Sequence, residues 1–286
     1  MGAAGGTGAG RLAPLIHLDE WQDECASVHE VEQALVGLRL KRGFEGKRNL
    51  RTSVLTHLAW VPEEWQEAAT ETLAGLAERH PSRTLLLFPE PDAEPGLAAR
   101  AFLECYELPH SDRHLCNEVV ELRLRGARAE APASIVLPLL LPDLPVFLRW
   151  RGRPDLASPA FEQLAGVVDR LVVDSAEWPD VPTAYSELAG VFDQVAVSDI
   201  AWRRTLPWRR ALAQAWPDLP DRLTGPPAET ALVAGWLSSR AGIEVEIERA
   251  DELPVGDQHR PSDLLSAELD VFARDPIYEA AVNAAK

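Results

Sequence analysis

The chain has no CxxC pair, no GxSxG, no GxxxxGK[ST] and no HExxH anywhere in its 286 residues. The common zinc-ribbon, serine-hydrolase, P-loop and metalloprotease readings therefore find no support. Cysteine is scarce: three residues at unrelated spacings make no disulfide framework, and an odd count fits a reducing compartment. Basic side chains are also few, 28 against 45 acidic ones, for a formal net charge of −17. That balance argues against nucleic acid or an anionic membrane as main partner. No apolar run is long enough to span a bilayer, which takes ~20 residues. The most apolar stretch, Ser134 to Pro154, is cut by Pro138, Pro142 and Pro145 and carries Asp143. The opening MGAAGGTGAG lacks the basic and apolar regions of a signal peptide. Gly6 also stands where a myristoylation signal needs Ser or Thr. The expected location is cytoplasmic.

What is present is enough apolar material, 46% of residues, for one large core or two ordinary ones. The Ser134–Pro154 stretch reads as a PDLP turn followed by VFLRW, a buried strand of β-branched and aromatic residues. SPAFEQLAGVVD then has helical spacing and RLVVDS is another short apolar run. Strand, helix, strand is a crossover unit that sits in the middle of a parallel sheet. A second such unit precedes it. RTSVLTHLAW reads as a strand, Trp65, Ala69, Leu73 and Leu76 as one helical stripe, and SRTLLLFPE as a strand. AFLECYEL and NEVVELRLR predict an antiparallel hairpin at the sheet edge, and a helix is expected from about 131 to 140.

The fold class expected is α/β: a mainly parallel N-terminal sheet with flanking helices and an antiparallel hairpin, plus a smaller, mostly helical C-terminal domain. Residues 1–18 are expected to be a disordered arm, with Gly and Ala offering nothing to bury. Its GTGAG has no preceding strand and so is no nucleotide loop. Residues 19–178 form the α/β domain, beginning with a helix from Asp19 that carries Trp21, Cys25, Val28, Val31, Leu35 and Leu38 on one face. GFEGKRN is a linker. Residues 179–286 form the C-terminal domain: helices over AYSELAGVFDQV, TLPWRRALAQAW and ETALVAGWLSSR, a strand IEVEIE, and a final helix LDVFARDPIYEAAVNAA.

Chemistry finds few candidates. Cys105, His110, His114 and Cys116 offer four zinc-ligand types, but their C-x4-H-x3-H-x-C spacing matches no common module, and no metal is expected. Cys105 and Cys116 lie on facing arms of the hairpin and could form a reversible disulfide if their Cα atoms come within ~7 Å. Two buried thiols packed as small apolar groups is the plainer reading. Asp174 and Ser175 end a parallel strand, where open α/β sheets hold ligands, though a strand-end Asp equally caps the next turn. With no nucleophile–base pair beside it, catalysis is not supported, and no cofactor is expected.

One cluster stands out from the acidic background. AWRRTLPWRR places Arg203, Arg204, Arg209 and Arg210 around Trp202 and Trp208, with no acid among them. Arginine and tryptophan dominate interface hot spots, and guanidiniums suit carboxylate or phosphate in bidentate geometry. The segment reads equally as a packed helix hairpin, with indoles in the core and arginines pairing local acids such as Asp199.

With these segments laid out, the chain resembles the glucose-6-phosphate dehydrogenase assembly protein (OpcA) family. The resemblance rests on RTSVLTHLAWVP, RHPSRTLLL, LCNEVVEL, LPLLLPDLPVFLRW, DRLVVDS, SDIAWRRTLPWRRALAQ and AGWLSSRAG. These occur in the family's order and cover most of residues 50–242, with LPLLLPDLPVFLRW and DIAWRRTLPWRR the distinctive ones. The resemblance implies an N-terminal α/β domain and a C-terminal domain, here shortened relative to the family. It also implies a non-enzymatic partner that binds glucose-6-phosphate dehydrogenase, promotes its assembled, active form and raises flux into the oxidative pentose phosphate pathway. On that reading the arginine/tryptophan segment is the expected contact surface. The rival, from another class, is a sensor or enzyme for a sugar phosphate or nucleotide at the sheet's carboxyl edge near Asp174 and Ser175.

Overall fold

The crossover around VFLRW lies at the centre of the sheet. A computed structural model describes residues 15–40, 48–50, 53–74, 76, 79–107, 113–256 and 259–285. Among these, nine strands form one sheet: β1 Leu15–Asp23, β2 Arg48–Leu50, β3 Leu55–Trp60, β4 Ser82–Glu90, β5 Gly96–Glu107, β6 Arg113–Arg125, β7 Val146–Trp150, β8 Arg170–Val173 and β9 Ala196–Asp199. The order is β1-β5-β6-β4-β3-β7-β8-β9, with β2 pairing the start of β6. Every pair from β6 to β9 is parallel, while β1, β5 and β6 pair antiparallel. The chain is thus α/β with a mainly parallel sheet and an antiparallel hairpin, as its sequence patterning implies. The hairpin is not the edge, because β1 covers β5.

The described residues also form ten α-helices, in chain order α1 Val28–Leu40, α2 Gln66–Ala74, α3 Ala133–Val136, α4 Pro159–Ala165, α5 Val181–Leu188, α6 Ile200–Arg204, α7 Leu206–Ala215, α8 Pro227–Ala241, α9 Pro261–Leu269 and α10 Pro276–Ala284. Alternation along β7 sets the two faces of the sheet. Phe147 packs with Leu264 and Leu265 of α9, Ile200 of α6 and Leu76. Leu148 and Trp150 point into the larger core with Phe161 of α4, and Trp150 stacks on Trp60 of β3 at 4.8 Å. Gly235 lets α8 and α10 approach closely: a Cβ there would lie 2.2 Å from the Ala281 carbonyl.

Several expected boundaries move, each for a local reason. The helix expected from Asp19 starts at Val28, and residues 19–23 belong to β1. Ser27 and Glu30 form a capping box, Ser27 N–H donating to Glu30 Oε2 at 2.7 Å and Glu30 N–H to Ser27 Oγ at 3.3 Å. Upstream of that cap, Trp21 pairs with Ala101 of β5. Residues 15–18 of the expected arm also lie in β1, and its remainder lies outside the described residues. The strand expected over 51–60 begins at Leu55. Pro132 and Pro138 confine the expected 131–140 helix to α3 and one 3-10 turn. The linker's last two residues are in β2.

The expected final helix is two helices. Asp275 accepts from the amides of Ile277 and Tyr278, and Pro276 takes the first helical position, so α10 starts afresh there. The strand expected over 243–248 is β11, Glu246–Arg249, which pairs in parallel with β10, Arg222–Gly225. Beyond residue 179, where the second domain was expected to begin, β9 pairs with β8, so the sheet continues across that point.

Candidate functional site

The carboxyl ends of β8 and β9 carry the same local device. Each ends in an aspartate in extended conformation whose side chain caps the following turn: Asp174 accepts from Ala176 N–H at 3.2 Å, Asp199 from Ala201 N–H at 2.9 Å. Asp199 Oδ1 also accepts from Ser175 N–H at 3.0 Å, which ties the two strand ends together. The Ser175 hydroxyl lies 2.8 Å from that of Tyr185, on α5, which donates to the Ala228 carbonyl. Ser175 is fully buried.

Arg204, at the end of α6, reaches back over this edge. Its Nη1 and Nη2 donate to Asp174 Oδ2 and Oδ1 at 2.9 and 2.5 Å, and its Nε donates to Glu229 Oε1 at 2.8 Å. Burial works against the guanidinium's charge, but the Asp174 and Glu229 carboxylates more than offset it and hold the proton above the ordinary arginine range. A second network lies along β7. Glu177 accepts from Arg149 Nη2 at 2.6 Å, Arg151 Nη1 at 2.9 Å and Gly152 N–H at 2.7 Å. Arg149 is fully buried, and desolvation pulls its guanidinium below the usual value. His57 of β3 is buried beside these arginines; desolvation and their charges push it down to about 3, so it is neutral at physiological pH.

Of the six residues expected to meet a partner, Trp202 and Trp208 are buried. Trp202 Nε1 donates to Asp275 Oδ2 at 3.0 Å, and Trp208 packs with Leu212 of α7, Leu223 of β10 and Val233 of α8. Arg203 donates to Glu268 Oε1 at 2.5 Å, Arg204 holds Asp174, and Arg209 lies over the Trp202 ring with Cζ 3.4 Å from the centroid. Arg210 is exposed. The arginines do pair acids, but Asp174, Glu229 and Glu268 rather than Asp199. The structure thereby joins two candidates the sequence kept apart, since Arg204 bridges to Asp174.

Cys105 and Cys116 are directly opposite on β5 and β6 and form a buried disulfide, with Cα atoms 4.1 Å apart. They are not the two free thiols of the plainer reading; their bonding also takes both sulfurs out of the four-ligand zinc set. His110 and the His114 side chain lie outside the described residues. Among the described residues no cluster of His, Cys, Asp and Glu has a metal-holding arrangement. Among the described residues no helix is long and apolar enough to cross a membrane.

Asp199 carries a testable electrostatic load. Burial and the neighbouring Asp174 carboxylate push its pKa up from 3.8 to about 7. A raised folded-state pKa means that the protonated form favours folding, and that this advantage is lost as pH rises from the unfolded value through the folded one. Asp199→Asn keeps an acceptor for the two amides without the charge. Its stability relative to wild type is expected to improve by about 1.4 kcal/mol per pH unit between about pH 4 and 7 and then level off. Urea unfolding of both proteins at several pH values measures this; a difference independent of pH would mean that the charge is tolerated there.

Residues 74–190, from the end of α2 through α5, match the family model described as the glucose-6-phosphate dehydrogenase subunit N-terminal domain. The chain is 30% identical over 181 residues to the putative OxPP cycle protein OpcA of Nostoc punctiforme, covering 58% of this chain and 39% of the relative. The protein of the same name from Synechococcus elongatus is 28% identical over 183 residues, 58% of this chain and 41% of the relative. That of Synechocystis sp. is 25% identical over 181 residues, 58% and 38%. The chain spans about two fifths of the length of these relatives. Over residues 74–190 the chain is thus similar to the glucose-6-phosphate dehydrogenase subunit N-terminal domain, and over about 180 residues to cyanobacterial proteins named putative OxPP cycle protein OpcA.

Proposed function

We propose that this chain binds glucose-6-phosphate dehydrogenase and promotes its assembled, active form, serving the oxidative pentose phosphate pathway without chemistry of its own. The observation that carries the reading is the match of residues 74–190 to a domain described as part of a glucose-6-phosphate dehydrogenase subunit. The site's electrostatics support it. Open α/β sheets bind ligands at the carboxyl edge, and here the strand-end Asp174 is engaged from within. Both Asp174 oxygens are engaged by Arg204. Arg149, Arg151 and Arg204 face Glu177, Asp174 and Glu229, three cations against three anions. A balanced buried network has no spare charge to recruit a sugar phosphate. A binding partner needs only to favour the enzyme's active assembly over its inactive one, which shifts the population by mass action.

Arg210 is the member of the arginine/tryptophan segment most available to such a partner, because it is exposed and makes no ion pair among the described residues. Arg210→Glu is expected to weaken association and to change its on-rate and salt dependence, as charge reversal at an interface rim does. Stability should stay within about 0.5 kcal/mol of wild type. Surface plasmon resonance against the immobilised enzyme at two salt concentrations reads both effects; an unchanged affinity would take Arg210 out of the interface.

A further inference from the structure

Beside the Asp174–Arg204 network lies a cavity of about 410 Å³, bounded by the end of β9, by α6 and the start of α7, and by residues 268–278. Its walls combine apolar Leu206, Val271 and Ile277 with three guanidiniums, those of Arg203, Arg209 and Arg274. We propose that this cavity binds an oxyanion, a carboxylate or phosphate group, with Arg209 as its anchor.

The cavity wall holds a surplus of donors. Each of the three arginines uses Nε and Nη2 on the protein. Arg203 donates to Glu268 and the Ala267 carbonyl, Arg209 to Thr205 Oγ1 and the Trp202 carbonyl, and Arg274 to Glu279 and the Phe192 carbonyl. In each case Nη1 has no protein acceptor among the described residues, although a guanidinium carries five N–H donors. The acids in the wall are already engaged. Asp275 caps α10 and accepts from Trp202, Glu268 accepts from Arg203, and Asp199 accepts two amides, with its other oxygen 3.4 Å from the Tyr278 hydroxyl.

Arg209 differs from its two neighbours in having no carboxylate within ion-pair distance among the described residues. Its plane is fixed by the indole 3.4 Å beneath it and by two hydrogen bonds. A guanidinium held this way loses little further freedom on gripping a planar or tetrahedral oxyanion. Desolvation, opposed by the Asp275 carboxylate and aided by Arg203 and Arg210, lowers it to about 10, so it stays charged at neutral pH without a direct ion pair among the described residues. The cavity's size is that of a small-molecule site. Its oxyanion has two sources, a free small molecule or a carboxylate side chain presented by a protein partner.

The test uses the whole chain and two probes, inorganic phosphate and citrate, by isothermal titration calorimetry at constant ionic strength. Two variants accompany wild type: Arg209→Met, and Ile277→Glu, which sets a carboxylate at an exposed position of the wall. Saturable binding by wild type, weakened at least tenfold in both variants with unchanged circular dichroism, supports the site with a free ligand as source. No binding of either probe, with a tenfold loss of affinity for glucose-6-phosphate dehydrogenase in both variants, assigns the cavity to a partner's carboxylate. Binding that survives both substitutions, or no effect in either assay, overturns it. The calorimetric arm needs no enzyme, so its result stands apart from the partner reading.

Discussion

Replacing Arg204 with methionine is expected to destabilise the fold by about 3–5 kcal/mol, the cost of stranding a partner in a buried ion pair. Asp174 and Glu229 are 8% and 3% exposed, and Arg204 supplies their three charge-assisted hydrogen bonds. Without it two carboxylates remain buried near Asp199, already raised to about 7 by burial and by Asp174. Adding Asp174→Asn and Glu229→Gln should therefore recover part of the loss, because the repulsion goes with the charge. Urea midpoints followed by tryptophan fluorescence measure both steps. A loss under about 1 kcal/mol in the single variant would mean that the carboxylates find water or other donors. The same logic governs the proposed contact surface: removing all four arginines of the segment together would damage folding along with any association, whereas Arg210 alone separates the two.

Glu177→Ala should cost a similar amount, about 3–5 kcal/mol, from the opposite sign of charge. It leaves Arg149 and Arg151 facing each other without their shared carboxylate. It also removes the acceptor for the Gly152 amide, at a turn where φ is +70° and a Cβ would lie 2.8 Å from Trp65 Nε1. Glu177→Gln keeps the shape and loses the charge, so it should fall between wild type and the alanine variant. Equal stability of the glutamine variant and wild type would show that geometry rather than charge balance holds this edge.

The parts of the fold that were legible in the sequence are those whose signal is local and periodic. VFLRW, SPAFEQLAGVVD and RLVVDS place β7, α4 and β8 because strand and helix periods alternate over short, proline-bounded runs. Residues 19–23 misled because Trp21 falls in helical register with Cys25 and Val28 by coincidence; the capping box at Ser27 and Glu30 was the readable counter-signal. At Asp275-Pro276 the proline marked a helix start, which an N-cap aspartate before it already announced.

The site was less legible, because its pairings are long-range. Arg204 finds Asp174 and Glu229, 30 and 25 residues away, and Arg149 finds Glu177 28 residues on. What sequence could have shown is the anomaly itself: an arginine inside VFLRW must have a buried counter-charge somewhere. Arg274, Asp275 and Tyr278 had no such flag and join the cavity from the turn between α9 and α10 and from the first turn of α10.

Binding to glucose-6-phosphate dehydrogenase is the action proposed for this chain. Its most direct test is NADP reduction by the same organism's enzyme with and without the chain, alongside size-exclusion chromatography of the mixture. Co-elution with increased activity is the predicted result. Separate elution with unchanged activity, at concentrations where both proteins are folded, would contradict it.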